Sequence, residues 1–301
     1  MGKIVGAALV GHVPTVLLGE QVRRSLGGGK DTTLVAGFGR LRERLDDVAA
    51  DTLFIIDTHW FTTAEHIVAG QAHHRGTYTS DELPRVIREM AFDYPGAPEL
   101  AAAVARIGRE CRQWVLNATN DDLAHHYPTL NVLHHVHRDE RVLSSGVCQT
   151  AEVVDFLDFG EVVAAAVEAT DGRVAILASG GMSHRFWPLK QFRDHAAYDP
   201  SHVITTQARA FDERMIGLLC AGDHASVIDA YDQYRVHAPE GRFGHYLTMA
   251  GACGGPRWRT PGELLSSYES SYGTGQVHIW FDLTRAQATS TPATAPDKET
   301  S

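Results

Sequence analysis

Three short apolar runs set the tightest limit on how this chain folds. They are residues 4–10 (IVGAALV), residues 52–57 (TLFIID) and Arg173–Ser179 (RVAILAS). None alternates between apolar and polar side chains. A strand with one face in water does alternate; a run without alternation reads as a strand covered on both faces, as in a parallel sheet flanked by helices. Between the first two runs, residues 36–50 carry Phe38, Leu41, Leu45 and Val48 at helical spacing. Strand, helix, strand in that order predicts a parallel βαβ unit.

The rest of the chain extends this pattern. Helical spacing predicts helices over residues 84–92 (opening on Pro84), 98–113, 160–170, 208–220, 225–234 and 243–253. Residues 21–33, with Gly27, Gly28 and Gly29, read as a flexible loop, and residues 276–282 as a late strand. From Arg285 the composition turns to Ala, Thr, Ser and Pro, which predicts a disordered tail over 285–301. The expected architecture is one α/β domain over residues 1–284, with a central mostly parallel sheet flanked by helices.

Charge and cysteine content exclude several function classes. A formal net charge of −10 repels phosphate backbones and anionic lipid surfaces, so neither nucleic acid nor membrane is an expected partner. Cys111, Cys148, Cys220 and Cys253 are far apart and contain no CxxC pair. They read as reduced, buried thiols of a cytoplasmic protein rather than a zinc ribbon or a disulfide framework. The apolar run at the N-terminus is too short to span a bilayer.

Seventeen histidines are present, and three fall in related places. His12 and His59 each come two residues after an apolar run, and His184 comes five residues after the third. Ligands of open α/β sheets bind beyond the carboxyl ends of parallel strands, so these histidines are expected on one edge. Two imidazoles and a carboxylate with open positions suit iron(II). Residue type does not choose the carboxylate; Asp57, Glu82, Asp121, Asp122 and Glu240 all qualify. Other features have plainer readings. His125, His126, His134, His135 and His137 read as mostly solvated, with one of the first pair reaching toward substrate. His73 and His74 read as a surface loop. Gly27–Gly29 before Lys30 lack the spacing of a phosphate loop, and Ser179 lacks the glycine of a nucleophile elbow.

Five motifs carry a resemblance: GHVPT at 11–15, DTHW at 57–60, GTYTSDELP at 76–84, LASGGMSHRF at 177–186 and SSYGTGQV at 270–277. Their order and spacing resemble the class III (LigB-type) extradiol dioxygenases, and among these the homoprotocatechuate 2,3-dioxygenases. The resemblance runs from the N-terminus to Leu283. It implies a non-haem Fe(2+) cofactor held by His12, His59 and Glu240, with His184 as the catalytic acid–base. It implies cleavage of a catechol by O2 to a muconic semialdehyde, in a homo-oligomeric enzyme. Tyr127 and His126 are the implied substrate contacts; Tyr127 stands where many relatives have histidine, and Pro128 where they have glycine. Arg185 is a candidate partner for a substrate carboxylate or for a structural acid, and His245 for a pocket or supporting role. The departures at 126–129 and 242–246 leave the ring substituent open: 3,4-dihydroxyphenylacetate leads, with protocatechuate, gallate derivatives and other catechols as alternatives. Manganese could use the same ligands, and a zinc-dependent hydrolase is the competing reading from another class.

Overall fold

The computed structural model describes residues 1–284; the expected tail lies outside the described residues. In chain order the elements are β1 (Lys3–Val10), α1 (Glu20–Leu26), α2 (Thr33–Asp47), β2 (Thr52–Thr62), β3 (His66–Ala69), β4 (His73–Tyr78) and β5 (Met90–Pro95). There follow α3 (Pro98–Glu110), β6 (Val115–Ala118), α4 (Tyr127–Val136), β7 (Arg141–Cys148), α5 (Val153–Ala169) and β8 (Arg173–Ser179). The last third holds α6 (Thr206–Ala221), α7 (His224–Asp229), α8 (Tyr231–Tyr234), α9 (Gly244–Ala252), β9 (Glu263–Leu264), β10 (Glu269–Ser271), β11 (Thr274–Gln276) and β12 (Ile279–Asp282).

An eight-stranded sheet runs β6-β3-β7-β2-β8-β1-β12-β9. Its centre, β7-β2-β8-β1, is parallel throughout. Antiparallel neighbours appear only outside that centre, at β3 against β7, β12 against β1 and β9 against β12. The three apolar runs of the sequence are thus adjacent central strands, which explains why they lack alternation. Their side chains alternate between two cores. Ala7, Leu9, Phe54, Ile56, Val174 and Ile176 face the layer that includes α3, α5, α6 and α9. Val5, Ala8, Leu53, Ile55, Ala175 and Leu177 face the layer of α2 and α4. Helices α5 and α9 approach at their glycines: a Cβ on Gly160 would meet the Thr248 carbonyl oxygen at 2.2 Å, and one on Gly251 the Leu157 oxygen at 2.1 Å.

Several elements differ from the sequence expectation. Residues 20–26 are helical, not loop; an Arg24–Glu20 ion pair of 2.7 Å spans one turn, and the glycines come only after the helix ends. Residues 84–92 do not form a helix. Pro84 sits in a turn, and Met90–Pro95 pairs antiparallel with His73–Tyr78 from His73↔Pro95 to Tyr78↔Met90. Only residues 90–92 of the expected helix enter that ladder; residues 84–89 form the turn that leads into it. Helix α5 starts before Gly160, at Val153, because Glu152 and Asp155 form a reciprocal capping box. The late strand is split between β11 and β12. Of the cysteines only Cys148 is fully buried; Cys111 is exposed, and Cys220 and Cys253 lie between, all as free thiols. Among the described residues no helix is long and apolar enough to cross a membrane.

Candidate metal centre and active site

The carboxyl ends of β1, β2 and β8 meet at one edge of the sheet, and each delivers one part of the site. At β2 the ladder is interrupted: this strand advances from Ile56 to Phe61 while β7 advances only from Ser145 to Val147. The surplus residues, Asp57 to Trp60, bulge out and turn His59 toward the edge. Asp57 fastens the bulge. Its Oδ1 accepts from the backbone N–H of His59 (2.9 Å) and Trp60 (3.1 Å), and its Oδ2 from the Thr129 N–H (2.9 Å) and hydroxyl (2.6 Å). Asp57 is therefore consumed as a brace and is not the carboxylate of the cluster.

That carboxylate is Glu240, which arrives from a different direction. Its backbone N–H donates to Met182 O at 3.1 Å, tying the segment before α9 to the one after β8. The residues that follow, Gly241, Arg242 and Phe243, all have left-handed backbones (φ 53°, 56° and 59°). Such conformations cost a non-glycine residue about 1–2 kcal/mol each, so this turn is strained. A Cβ at Gly241 would also meet Thr58 Cγ2 at 2.7 Å. The Glu240 side chain is buried among donors. Oε1 accepts from the Thr58 hydroxyl at 2.8 Å, and Oε2 from the Gly181 N–H at 2.5 Å.

Two imidazoles converge on that same Oε1: His12 Nε2 at 3.1 Å and His59 Nε2 at 3.2 Å. His184 Nε2 stands off at 3.6 Å from Oε2. Among the described residues, His12, His59 and Glu240 are the group of metal-ligating side chains close enough to share an ion, with donor atoms within 4.8 Å of one another. Bonds of about 2.1 Å to a metal place neighbouring ligands about 3 Å apart, which is the spacing found. The charges agree. Burial would raise the Glu240 carboxyl, but the His12 and His184 imidazoles and hydrogen bonds from His12 and His59 hold it well below the usual carboxylate range. Burial works to lower His59, yet hydrogen bonds to Glu240 and Glu82 win and raise it to about 10. This centre attracts positive charge, and the donor set fits a divalent ion of the iron, manganese or zinc group.

The far side of each imidazole is also engaged. Ser179 Oγ donates to Pro128 O at 3.0 Å, so its one proton is used there. It can then only accept from His12 Nδ1, 3.1 Å away. With a metal bound, that arrangement would keep the imidazole proton on Nδ1 and free the Nε2 lone pair for the ion; without one, the Nε2 side hydrogen-bonds to Glu240. His59 Nδ1 lies 3.3 Å from Glu82 Oε2, on the half-exposed turn between β4 and β5. Hydrogen bonding to His59 lowers the Glu82 carboxyl, so it remains an anion. Removing such outer partners typically costs about 10–100-fold in metal affinity. Ser179→Ala is expected to fold normally and to weaken metal binding by about that factor, measured by competition with a chelating dye. Unchanged affinity would remove Ser179 from this role.

The remaining expected site residues are placed unequally. Tyr127, at the start of α4, is buried, with its hydroxyl 3.1 Å from His59 Nε2. Burial pushes that hydroxyl well up, so it stays protonated. His126 stacks on Trp60 with ring centroids 6.2 Å apart, and burial lowers its imidazole. With Asp57, Gln71, His74 and His125 it lines a small cavity beside the β2 bulge. His245 is fully buried on α9 and pushed to about 4 by burial. It packs so closely under Gly180 that a Cβ there would touch the ring at 2.7 Å. It supports the loop after β8 and does not face an opening. Arg185 is not part of the cluster: it is exposed and donates to Val236 O at 2.8 Å.

The other histidines also differ from expectation. His74 is buried on β4, stacked on Tyr94 at 4.9 Å, and its Nδ1 lies 3.2 Å from His125 Nε2. His135 stacks on Phe38 at 4.6 Å, while His134 is exposed as expected. Imidazoles kept neutral by burial serve here as aromatic packing groups, which residue type alone does not reveal.

Comparisons with known proteins agree with this geometry. Residues 6–282 match the family model described as the catalytic LigB subunit of aromatic ring-opening dioxygenase. The chain is 29% identical over 290 residues to a 3,4-dihydroxyphenylacetate 2,3-dioxygenase of Escherichia coli, covering 92% of this chain and 99% of that one. It is 25% identical over 305 residues to the beta subunit of a 2-aminophenol 1,6-dioxygenase of a Pseudomonas species, covering 95% and 96%. An uncharacterised Escherichia coli K12 protein of known structure shares the fold, with a TM-score of 0.63 at 15% identity over 92% of this chain and 99% of that one. The chain belongs to the LigB family and is an extradiol ring-cleavage dioxygenase.

Proposed function

We propose that this enzyme opens a catecholic ring with O2, using iron(II) held by His12, His59 and Glu240, and that 3,4-dihydroxyphenylacetate is its substrate. The observation that carries this reading is the convergence of two imidazole Nε2 atoms on one Glu240 oxygen, with a third imidazole, His184, standing just outside. A bound iron(II) would supply Lewis acidity and a common template for the two substrates. The protein's side chains do the rest. Burial lowers the His184 imidazole, so near neutrality it is unprotonated and able to take a proton from a catechol hydroxyl, then return it as the ring opens. The protonated Tyr127 hydroxyl is a hydrogen-bond donor beside the same site. Both atoms of O2 enter the product, a hydroxymuconic semialdehyde.

The substituent is supported by the Escherichia coli relative. The Pseudomonas relative, named for an aminophenol, gives a specific reason to test an amino group in place of one hydroxyl. The test is anaerobic reconstitution with iron(II), then O2 uptake and product absorbance across a panel. The panel holds 3,4-dihydroxyphenylacetate, protocatechuate, a gallate, an alkyl catechol and 2-aminophenol. The expected result is the highest kcat/KM with 3,4-dihydroxyphenylacetate and one O2 consumed per ring opened. A clear preference for another ring overturns the substrate. No O2 uptake with any ring overturns the reading and leaves a metal-dependent hydrolase on the same ligands.

A further inference from the structure

Asp212, on α6, is fully buried and takes no part in the chemistry described so far. Its hydrogen bonds all come from neutral donors. Oδ1 accepts from the Ser183 N–H at 3.1 Å and the Tyr234 hydroxyl at 2.7 Å; Oδ2 accepts from the Ser183 hydroxyl at 2.7 Å and the Tyr268 hydroxyl at 2.6 Å. Backbone space is reserved for it as well, since a Cβ on Gly275 would meet Oδ2 at 2.2 Å. A carboxylate without a charged partner is expensive to bury unless its lone pairs are all satisfied. Four donors from three separate segments satisfy this one.

What those donors hold in place is the residue before His184. Residues 182–184 form the middle line of a small irregular ladder. On one side Met182 N–H donates to Gly275 O and Gly275 N–H to Ser183 O, both at 2.8 Å; on the other, His184 N–H donates to Ala238 O at 3.0 Å and Glu240 N–H to Met182 O at 3.1 Å. Ser183 itself is fastened to Asp212 through both backbone and side chain. Tyr234, a second Asp212 donor, packs edge-on against Phe243 at 5.2 Å, at the end of the left-handed turn after Glu240.

We infer that Asp212 is a positioning residue for catalysis: through Ser183 it fixes where the His184 imidazole stands relative to Glu240. The carboxylate touches no reacting atom. Its effect is on the placement of an acid–base group, where a displacement of about 1 Å can cost on the order of 100-fold in rate. The inference rests on the acid–base role proposed for His184, and its test separates the two.

The experiment is a double-mutant cycle on the iron(II)-reconstituted enzyme, with Asp212→Asn and His184→Phe alone and together. Asp212→Asn is expected to lower kcat by about 10–100-fold, with KM for the catechol within about twofold and one iron retained per chain. In the His184→Phe background the same change is expected to cost less than about twofold, because no imidazole remains to be positioned. An equal loss in both backgrounds marks Asp212 as merely structural and overturns the inference, as does an unchanged kcat in the single variant. If His184→Phe alone keeps full turnover, the acid–base reading itself has failed and the inference falls with it. Should Asp212→Asn not fold, Ser183→Ala takes its place in the cycle. It removes one donor and leaves the carboxylate and both tyrosines, and the same non-additivity is required of it.

Discussion

His59→Ala is expected to leave a folded protein that no longer retains its metal. The imidazole sits at the tip of the β2 bulge, partly exposed, and its ring packs on Tyr127 and His12 of the site itself. The bulge itself is held by Asp57 through backbone N–H groups that survive the substitution. What is lost is one of the two nitrogens facing Glu240 Oε1, leaving two protein ligands where the cluster offers three. Loss of an outer partner alone costs about 10–100-fold in affinity, so loss of a ligand is expected to exceed 100-fold and to abolish turnover at micromolar metal. Metal content after desalting, with circular dichroism as the folding control, checks this. A folded variant that still carries one equivalent of metal would sink the ligand assignment.

The second large effect is expected at His184. His184→Phe keeps a planar ring next to Phe186, whose centroid lies 5.0 Å away, and removes the nitrogen that faces Glu240. Because the nearest approach is 3.6 Å to Glu240 Oε2, and not to Oε1 where the other imidazoles meet, metal retention is expected to be normal. Positioned acid–base groups contribute about 100- to 10,000-fold, and kcat is expected to drop within that range. Steady-state O2 uptake measures it, and metal analysis on the same sample shows that the loss is not one of cofactor. Turnover equal to the unsubstituted enzyme would eliminate His184 from the proton transfers.

The sequence revealed the parts of this molecule in which local pattern and global burial coincide. The strands β1, β2 and β8 lie in the enclosed centre of the sheet, so the middle of each is apolar on both faces and the runs stand out. Their order also placed His12, His59 and His184 at one edge. Strand β7 is equally central but carries Ser144, Ser145 and Gly146, which hide its apolar pattern. Helix α4 is short and carries His134 and His135 just before its last residue, which blurs its apolar spacing, although Pro128 in its first turn is a legible start signal. The β4–β5 hairpin is hard to read from sequence because good helix formers, residues 88–91 (REMA), lead into its second strand, which pairing with residues 73–78 makes extended. At the site, residue type could not separate Asp57 from Glu240. The decision lies in hydrogen-bond partners: backbone N–H groups and Thr129 occupy Asp57, whereas Thr58, Gly181 and two imidazoles surround Glu240. Ser179, Thr58 and Asp212 matter only through what they touch, which no spacing rule announces.

The left-handed stretch Gly241–Phe243 bears on how this enzyme can be altered. A single inserted or deleted residue shifts an extended chain by about 3.3 Å, more than the length of a metal–ligand bond. Changes of length at this corner would therefore carry the Glu240 carboxylate out of reach of both imidazoles, even where every other contact survived. The turn between β4 and β5 is mostly exposed and brings Glu82 to the cluster, so loop grafts and random libraries that keep Glu82 are expected to be tolerated there. The corner after Glu240 is where such libraries would return mostly dead clones.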